Sequence, residues 1–391
     1  MTDSTRGQRT ATRLAHAGRD PKSHEGFVNT PVYRGSTIIH PTVEILEAGS
    51  MPVGYGRKGT PTVRGLEESI AELEGGVRTM LVPSGLSAVT SALLTFVEAG
   101  DHILMTDSVY RPTRMFCDTV LKRIGIETEY YDPLVAGDIA SLIRDNTRLV
   151  YTESPGSQTF EVQDISAISA AAHARGALVL VDNTWASPLY FKPFDHGADV
   201  SIQAATKYIV GHSDAMLGSI TTTTAHADRL AHDILLFGNC AGSEEAYLGQ
   251  RGFRTMDVRL QRHWENGLTI ARWLEGREEV ARVLHPALPS HPQHDLWKRD
   301  FLGASGLFTI LLHDVPKKAV AAMLDDLAFF GMGFSWGGFE SLIVPFDPSA
   351  YRTATTWEHR GPNLRLHIGL EDPDDLMADL DEGFARLRDA A

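Results

Sequence analysis

From Val63 to about Thr255, short apolar segments alternate with segments of helical periodicity. The run ALVLVDN (177–183) is apolar without interruption, which is typical of a strand buried on both faces of a sheet. The run before it, ISAISAAAHARG (165–176), has helical spacing and ends at a glycine. Alternation of this kind predicts a mostly parallel central sheet with helices on both faces, the α/β class.

The segments on either side follow other patterns. Residues 1–60 are rich in Gly, Pro and Thr, which predicts an extended N-terminal arm that lies against a neighbouring subunit. Residues 256–391 begin with a long helical segment and continue with short strands and helices, which favours an α+β domain. We therefore expect an arm (1–60), an α/β domain (61–255) and an α+β C-terminal domain (256–391).

Charge and cysteine content exclude several classes of protein. The chain has 36 Lys+Arg against 50 Asp+Glu, a net charge of −14, which argues against nucleic-acid binding. Its two cysteines cannot form a disulfide framework, so a reducing, cytoplasmic setting is expected. The polar N-terminus has no apolar core of a secretory signal, and no apolar run reaches the roughly 20 residues of a membrane span.

Polar residues follow three of the predicted strands. Asp182 ends one strand, Lys207 follows the next, and Ser84-Gly85 opens a helix after a third. Ligands bind beyond the carboxyl ends of parallel strands. A desolvated lysine can form a Schiff base, a carboxylate can hold a protonated ring nitrogen, and a helix N-terminus can bind phosphate. Each has an ordinary alternative: a surface lysine, a capping aspartate and a plain βα turn.

Taken together, these features match the needs of a pyridoxal 5′-phosphate site. The motifs VDNTWASP (181–188) and ATKYIVGHSD (205–214) resemble those of the Cys/Met-metabolism family of fold-type I pyridoxal phosphate enzymes. The similarity extends from TPVYRGST (30–37) to LRLHIGLE (364–371). It implies a PLP-transferase-like fold, an amino-acid substrate and a homotetramer built as a dimer of dimers, with no nucleic-acid or membrane partner.

The resemblance also implies a role for individual residues. It makes Lys207 the lysine that binds the cofactor and moves protons, Asp182 the partner of the ring nitrogen, and Tyr110 the residue that stacks on the ring. The remaining residues it implies are the phosphate ligands Gly85, Leu86 and Thr206, the phosphate ligands Tyr55 and Arg57 from the neighbouring subunit, and the substrate-binding residues Arg365, Ser335 and Trp336. Each of them has a packing or surface alternative.

Two further patterns bear on details of the site. The family usually has a serine three residues before the lysine, where this chain has Ala204. Either backbone groups, Thr206, Tyr55 and Arg57 carry the phosphate without it, or Gln203 or a water replaces it. His285, His291 and His294 cluster, but their spacing matches no usual zinc site, and we expect no metal.

Three motifs decide which branch of the family the chain resembles. SWGGFESL (335–342), ESPGS (153–157) and DNTW (182–185) are similar to carbon–sulfur β-lyases of the cystathionine β-lyase type, which act in methionine biosynthesis. This implies α,β-elimination of L-cystathionine to homocysteine, pyruvate and ammonia. A γ-lyase or O-acylhomoserine sulfhydrylase stays open as an alternative, as does a catalytically inactive relative that acts by binding.

Overall fold

The computed structural model describes residues 8–391; residues 1–7, which begin the predicted arm, lie outside the described residues. Two sheets organise this part of the chain. The strands are β1 Arg78–Val82, β2 His102–Thr106, β3 Glu127–Tyr131, β4 Thr147–Glu153, β5 Leu178–Asp182, β6 Val200–Gln203, β7 Gly218–Thr222, β8 Val280–Leu284, β9 Leu307–Leu312, β10 Leu342–Phe346 and β11 Asn363–His367.

The larger sheet has the order β1-β7-β6-β5-β4-β2-β3. The strands from β6 to β3 run parallel to one another, whereas β7 is antiparallel to both of its neighbours, β1 and β6. The prediction of a mostly parallel central sheet is therefore confirmed. Strands β3 and β7 were not predicted, because neither ETEYY nor GSITT has a long apolar run.

Helices connect and cover these strands. Those of residues 8–391 are α1 Thr10–His16, α2 Val43–Ala48, α3 Pro61–Glu74, α4 Gly85–Phe96, α5 Arg111–Phe116, α6 Ile165–His173, α7 Ser187–Tyr190, α8 Ala227–Leu236, α9 Ser243–Arg254, α10 Met256–Glu275, α11 His294–Asp300, α12 Lys317–Leu324 and α13 Pro373–Ala390. Strand β5 shows that both sheet faces are covered, because Leu180 packs in one apolar cluster and Val179 and Val181 pack in another. Its uninterrupted apolar run follows from this two-sided burial.

The smaller sheet lies in the C-terminal part of the chain, as the α+β pattern predicts. It is antiparallel throughout, in the order β10-β11-β9-β8. Helices α12 and α13 pack against each other, and α10 contacts both β8 and β9. Strand β11 is buried along its whole length, so the polar side chains that it carries lie inside the protein.

The N-terminal segment is less irregular than predicted, because it contains the short helices α1 and α2 and two single turns of 3-10 helix. Its apolar side chains nevertheless face solvent in the single chain. Among them, Phe27 is 67% exposed and Ile39 is 81% exposed. Exposed apolar residues concentrated on one extended segment are typical of a surface that another chain covers.

Helix α10 is the longest helix in residues 8–391, with 20 residues. It carries charged residues along its length and is polar on average. Within residues 8–391, no helix combines the length and the apolar character that crossing a bilayer requires.

Candidate active site

The carboxyl ends of the central strands bring the predicted polar residues to one edge of the sheet. Asp182 is the last residue of β5. Strand β6 ends at Gln203 rather than at Thr206 as predicted, and Lys207 follows in a turn in which its N–H donates to the carbonyl of Ala204. The pairing of β6 with β5 extends only as far as Ile202, so the turn begins earlier than the sequence predicted. Lys207 thus lies just beyond the sheet edge.

Lys207 points its amine at the C-terminal half of the chain. Its Nζ donates a hydrogen bond to Ser335 Oγ at 2.5 Å and lies 5.2 Å from the centre of the Trp336 ring. Burial, together with the positive charge of Arg365, lowers the pKa of the Lys207 amine to about 8. A lysine in this environment is deprotonated far more readily than a solvated one, as covalent and proton-transfer chemistry requires.

Arg365 supports the same loop from β11. Its Nη2 donates to the Ser335 carbonyl at 3.0 Å and to the Gly333 carbonyl at 3.4 Å. Its Nε is buried and has no hydrogen-bond partner. Burial lowers the pKa of this guanidinium to about 10. An arginine that is charged, buried and left with an unused donor fits an incoming carboxylate.

Asp182 is held by its neighbour Thr184. The backbone N–H and the Oγ1 of Thr184 both donate to Asp182 Oδ1, at 3.0 and 2.5 Å, and Oδ2 takes part in neither bond. Thr184 Oγ1 in turn accepts the N–H of Ala204 at 2.9 Å, which ties the end of β5 to the lysine turn. Burial raises the pKa of Asp182. A cation beside Oδ2 would relieve that cost.

Tyr110 lies at the open side of this group. It is 47% exposed, and its backbone N–H donates to Glu153 Oε2 at 2.7 Å. Partial burial and the neighbouring carboxyl groups of Glu153 and Asp182 raise the pKa of Tyr110, while Arg365 lowers it. Its ring is therefore accessible to a planar ligand, while its backbone is anchored on β4.

The turn that is predicted to bind phosphate lies at the start of α4. Ser84 Oγ accepts the N–H of Ser87, and the helix begins at Gly85. A Cβ on Gly85 would lie 2.5 Å from the Cβ of Ala204, so only glycine allows this approach. The N–H groups of Gly85 and Leu86, the first two residues of the helix, have no partner within the helix and can bind an anion beside the lysine turn.

Two residues near this turn are already engaged. Thr206 Oγ1 donates to the Leu217 carbonyl at 3.1 Å and accepts a hydrogen bond from the Leu217 N–H at 2.8 Å. Gln203 is buried and its amide donates to Glu74 Oε1 at 2.9 Å, on the far side of β6. The idea that Gln203 replaces the missing serine at Ala204 is therefore wrong, because alternate strand residues face opposite sides of the sheet.

Tyr55 and Arg57 lie apart from the other predicted site residues. Arg57 Nη1 donates to the carbonyl of Leu235 on α8 at 2.6 Å, and its guanidinium lies 6.0 Å from the Tyr55 ring. Tyr55 is 44% exposed. In the described part of the chain, no hydrogen bond joins either residue to Lys207, Asp182 or the α4 turn.

These residues fit pyridoxal phosphate by three independent observations. The amine of Lys207 is partly desolvated, Asp182 presents a buried carboxylate, and the start of α4 offers N–H groups at a turn that a Cβ would obstruct. The spare Nε of Arg365 adds a place for the carboxylate of an amino acid. The donor set matches an anionic phosphate, a basic ring nitrogen and an aldehyde carbon.

Two residues of this region were missed from the sequence. Glu153 ends β4 and pairs with Asp182, and the end of the strand RLVYTES could have suggested it. His367 supports the Ser335 loop, and its signal was the alternation of polar and apolar residues in NLRLH (363–367), which puts Arg365 and His367 on one face.

Metal and thiol chemistry find no support in the described residues. No group of three or more His, Cys, Asp or Glu side chains in residues 8–391 is arranged to hold a metal ion. Burial raises the pKa of the Cys117 thiol to about 12, so this residue stays protonated.

The chain resembles known proteins over nearly its whole length. A family model described as "Cys/Met metabolism PLP-dependent enzyme" matches residues 11–385. The chain is 54% identical over 381 residues to the putative cystathionine beta-lyase of Rhizobium johnstonii, covering 96% of this chain and 95% of the relative. It is 44% identical over 387 residues to the cystathionine beta-lyase MetC of Escherichia coli K12, covering 96% and 98%.

Solved structures show the same relationship. The crystal structure of cystathionine gamma synthase from Xanthomonas oryzae pv. oryzae, in complex with aminoacrylate and cysteine, matches with a TM-score of 0.91 at 31% identity. That match covers 98% of this chain and 99% of the other. The similarity therefore extends over nearly the whole fold described above.

Proposed function

The chain belongs to the Cys/Met-metabolism family of PLP-dependent enzymes, and on this premise we propose that it is a carbon–sulfur β-lyase that cleaves L-cystathionine to homocysteine, pyruvate and ammonia. One observation carries the proposal most directly: Ser335 touches both the Lys207 amine and the Arg365 guanidinium. This arrangement brings a base and a carboxylate-binding group together at one loop. The names of the two sequence relatives support the choice of substrate.

The cofactor would be held at several points by this chain. Lys207 would bind it covalently, Asp182 would pair with its ring nitrogen, Tyr110 would stack on its ring, and the N–H groups of Gly85 and Leu86 would bind its phosphate. When bound, pyridoxal phosphate supplies an electron sink for the negative charge left at Cα.

The substrate is oriented by its α-carboxylate. Arg365 offers its unpaired Nε to that carboxylate, and a planar guanidinium holds a carboxylate in one orientation. The Trp336 ring lies beside the Lys207 amine, 5.2 Å from it. The Cα–H bond of the substrate is thereby kept close to Lys207 Nζ.

Proton transfer falls to Lys207. With a pKa near 8, its amine accepts the Cα proton and can return it to the departing sulfur. Ser335 Oγ orients the amine through the 2.5 Å hydrogen bond, and the Tyr110 hydroxyl is the second group near this path. Only a Cα proton has to be moved before the Cβ–S bond breaks, which suits an amine held by one loop.

We also propose that the active unit is a homotetramer built of dimers, in which Tyr55 and Arg57 complete the phosphate site of a neighbouring subunit. The exposed apolar residues of the arm support it. In the same proposal the chain divides into the arm (1–60), the cofactor domain (61–255) and the C-terminal domain (256–391). It works in the cytoplasm, where Cys117 and Cys240 stay unpaired.

The test is to identify the keto acid formed from L-cystathionine by the purified holoenzyme. Pyruvate with homocysteine is the expected result. The appearance of 2-oxobutyrate with cysteine would show a γ-lyase, and sulfide incorporation into an O-acylhomoserine would show a sulfhydrylase; either as the main reaction refutes the proposal. Lys207→Ala is the control that must be inactive in every assay.

A further inference from the structure

The loop that carries Ser335 and Trp336 has a strained backbone. Ser335 has φ = +86° and Gly337 has φ = +90°, and a serine rarely adopts such a conformation unless its surroundings enforce it. A Cβ on Gly337 would lie 2.9 Å from the carbonyl carbon of Lys207 and 3.0 Å from its Cα. The 333–338 loop therefore rests directly on the backbone of the lysine, and any shift of one moves the other.

Two side chains of β11 hold this loop. Arg365 Nη2 donates to the Ser335 carbonyl at 3.0 Å, and the N–H of Gly337 donates to His367 Nε2 at 3.1 Å. Arg365 and His367 are two residues apart on one strand, so their side chains leave it on the same face. Substrate binding through Arg365 and support of the loop through His367 are thus built on one element.

The tautomer of His367 follows from its contacts. Its Nε2 lies 3.1 Å from Gly337 N and 3.2 Å from the Gly338 carbonyl, and one nitrogen of a neutral ring cannot both accept and donate. The Gly337 amide can only donate, so Nε2 accepts and Nδ1 carries the hydrogen. That Nδ1 is buried and has no hydrogen-bond partner.

His263 of α10 lies behind this ring. Its Nδ1 donates to the Ile368 carbonyl at 2.8 Å, which leaves a lone pair on its buried, unpartnered Nε2. The two ring centres are 5.2 Å apart. Burial lowers the pKa of His263 to about 4 and that of His367 well below its usual value, so both rings are neutral. His367 thus presents the hydrogen on its Nδ1, and His263 presents the lone pair on its Nε2.

We propose that His367, backed by His263, is a positioning residue that holds the 333–338 loop so that Ser335 meets the Lys207 amine. The chain of contacts runs from α10 through β11 and the loop to the lysine. The inference rests on the proposed function only for the choice of substrate, since the contacts themselves exist without one.

The test compares two variants of nearly equal shape in the holoenzyme. His367→Gln keeps an acceptor that reaches Gly337, whereas His367→Met fills the space without one. Hydrogen exchange of the peptide covering 333–338 is measured together with kcat and KM for pyruvate release. We expect His367→Met to exchange faster in this peptide and to lose about 10- to 100-fold in kcat, the size of effect that a small misplacement has. His367→Gln should stay near wild type in both.

His285→Met is the matched control, because His285 is equally buried but caps its own turn by accepting the N–H of Ala287. It should leave exchange at 333–338 unchanged even if it lowers stability. Should His367→Met not fold, His367→Asn, whose side chain is too short to reach Gly337, takes its place. Equal exchange in the acceptor and non-acceptor variants overturns the proposal. Loss of pyruvate formation in wild type itself would overturn only the proposed function, since the exchange measurement needs no substrate.

Discussion

Glu153 and Asp182 stand opposite each other in the register of the parallel strands β4 and β5, so two carboxyl groups lie side by side beneath the site. Burial raises the pKa of Glu153 well above its usual value, and the charge of Asp182 raises it further. Asp182 has its own hydrogen bonds from Thr184, whereas Glu153 has only the N–H of Tyr110. Glu153 is therefore the member of the pair that keeps its proton.

Glu153→Gln should gain stability over wild type as the pH rises. The raised pKa means that the unfolded chain ionises above about pH 4.5 while the folded protein still holds the proton, so stability falls with pH in wild type. The glutamine of the variant does not ionise, so it adds no such dependence of stability on pH. Urea unfolding at several pH values measures the difference, and the exposed Glu98→Gln is the control. A difference that stays constant with pH contradicts a protonated Glu153.

Arg365→Leu should weaken substrate binding and should also raise the pKa of the Lys207 amine, and the two effects can be measured separately. Without the guanidinium, kcat/KM should fall by at least about 100-fold, because charged hydrogen bonds to the carboxylate are lost. The pKa of the Lys207 amine, now about 8, should rise, since the cation helps to lower it. The pH midpoint for uptake of the cofactor by the apoprotein should therefore move to higher pH.

Arg365→Lys is the control for that change, because it keeps the charge but not the planar fork. Its midpoint should remain near that of wild type while KM rises. A midpoint that is the same in both variants and in wild type would show that Arg365 does not act on Lys207.

Mixing two inactive variants tests whether the arm completes a neighbouring site. In a mixed dimer of Arg57→Ala and Lys207→Ala, both defects fall in one site and leave the other intact only if Arg57 acts across an interface. Random pairing of equal amounts then gives half mixed dimers with one intact site each, so about a quarter of wild-type activity should return. Unfolding and refolding the variants together is the assay. Mixtures that stay inactive place Arg57 and Lys207 in the same chain's site.

Asp107→Asn should destabilise the protein without changing the chemistry. The Asp107 carboxylate is buried, pairs with Arg114 at 2.5 Å and accepts the N–H groups of Thr353, Ala354 and Thr355. Removing one charge of a buried pair costs about 3–5 kcal/mol. Thermal or urea unfolding gives the value, and Arg144→Gln, which breaks solvent-exposed pairs with Glu127 and Glu129, should cost far less.

The pH dependence of the same group has the opposite sign from that of Glu153. Burial raises the pKa of Asp107, but the hydrogen bonds from Thr353 and Thr355 outweigh it and lower the pKa below its usual value of 3.8. Its contribution to stability is present above that pH and is lost as the pH falls below it. The difference between wild type and Asp107→Asn should therefore shrink in acid.

The sequence predicted what depends on local pattern. Strand β5 could be predicted because burial on both sheet faces gives it an uninterrupted apolar run. Asp182 and Ser84 could be predicted as site residues because they lie at the ends of predicted strands. Lys207 was found, although β6 ends four residues before it rather than at its side. Strand β7 was missed because it is defined by its pairing with β1 and β6, in which residues distant along the chain, such as Val82 and Gly218, lie side by side.

Side-chain partners were harder to predict than positions. Gln203 sits next to Ala204 in the chain, yet the strand turns its amide to Glu74 on the opposite face. His367 supports a loop about thirty residues earlier, a contact that only the folded sheet reveals. Such pairings depend on distant segments, so a single sequence carries little information about them.

The contact of Gly85 with Ala204 has a consequence for the dimensions of the site. At the start of α4, the backbone of Gly85 packs directly against the methyl group of Ala204 in the turn before Lys207, and no longer side chain separates them. The span from the anion-binding turn to the amine is consequently set by main-chain geometry. Substitutions of other side chains that line the pocket should leave this distance unchanged. The pocket can therefore be adapted to different substrates while the spacing between the phosphate and the amine is kept.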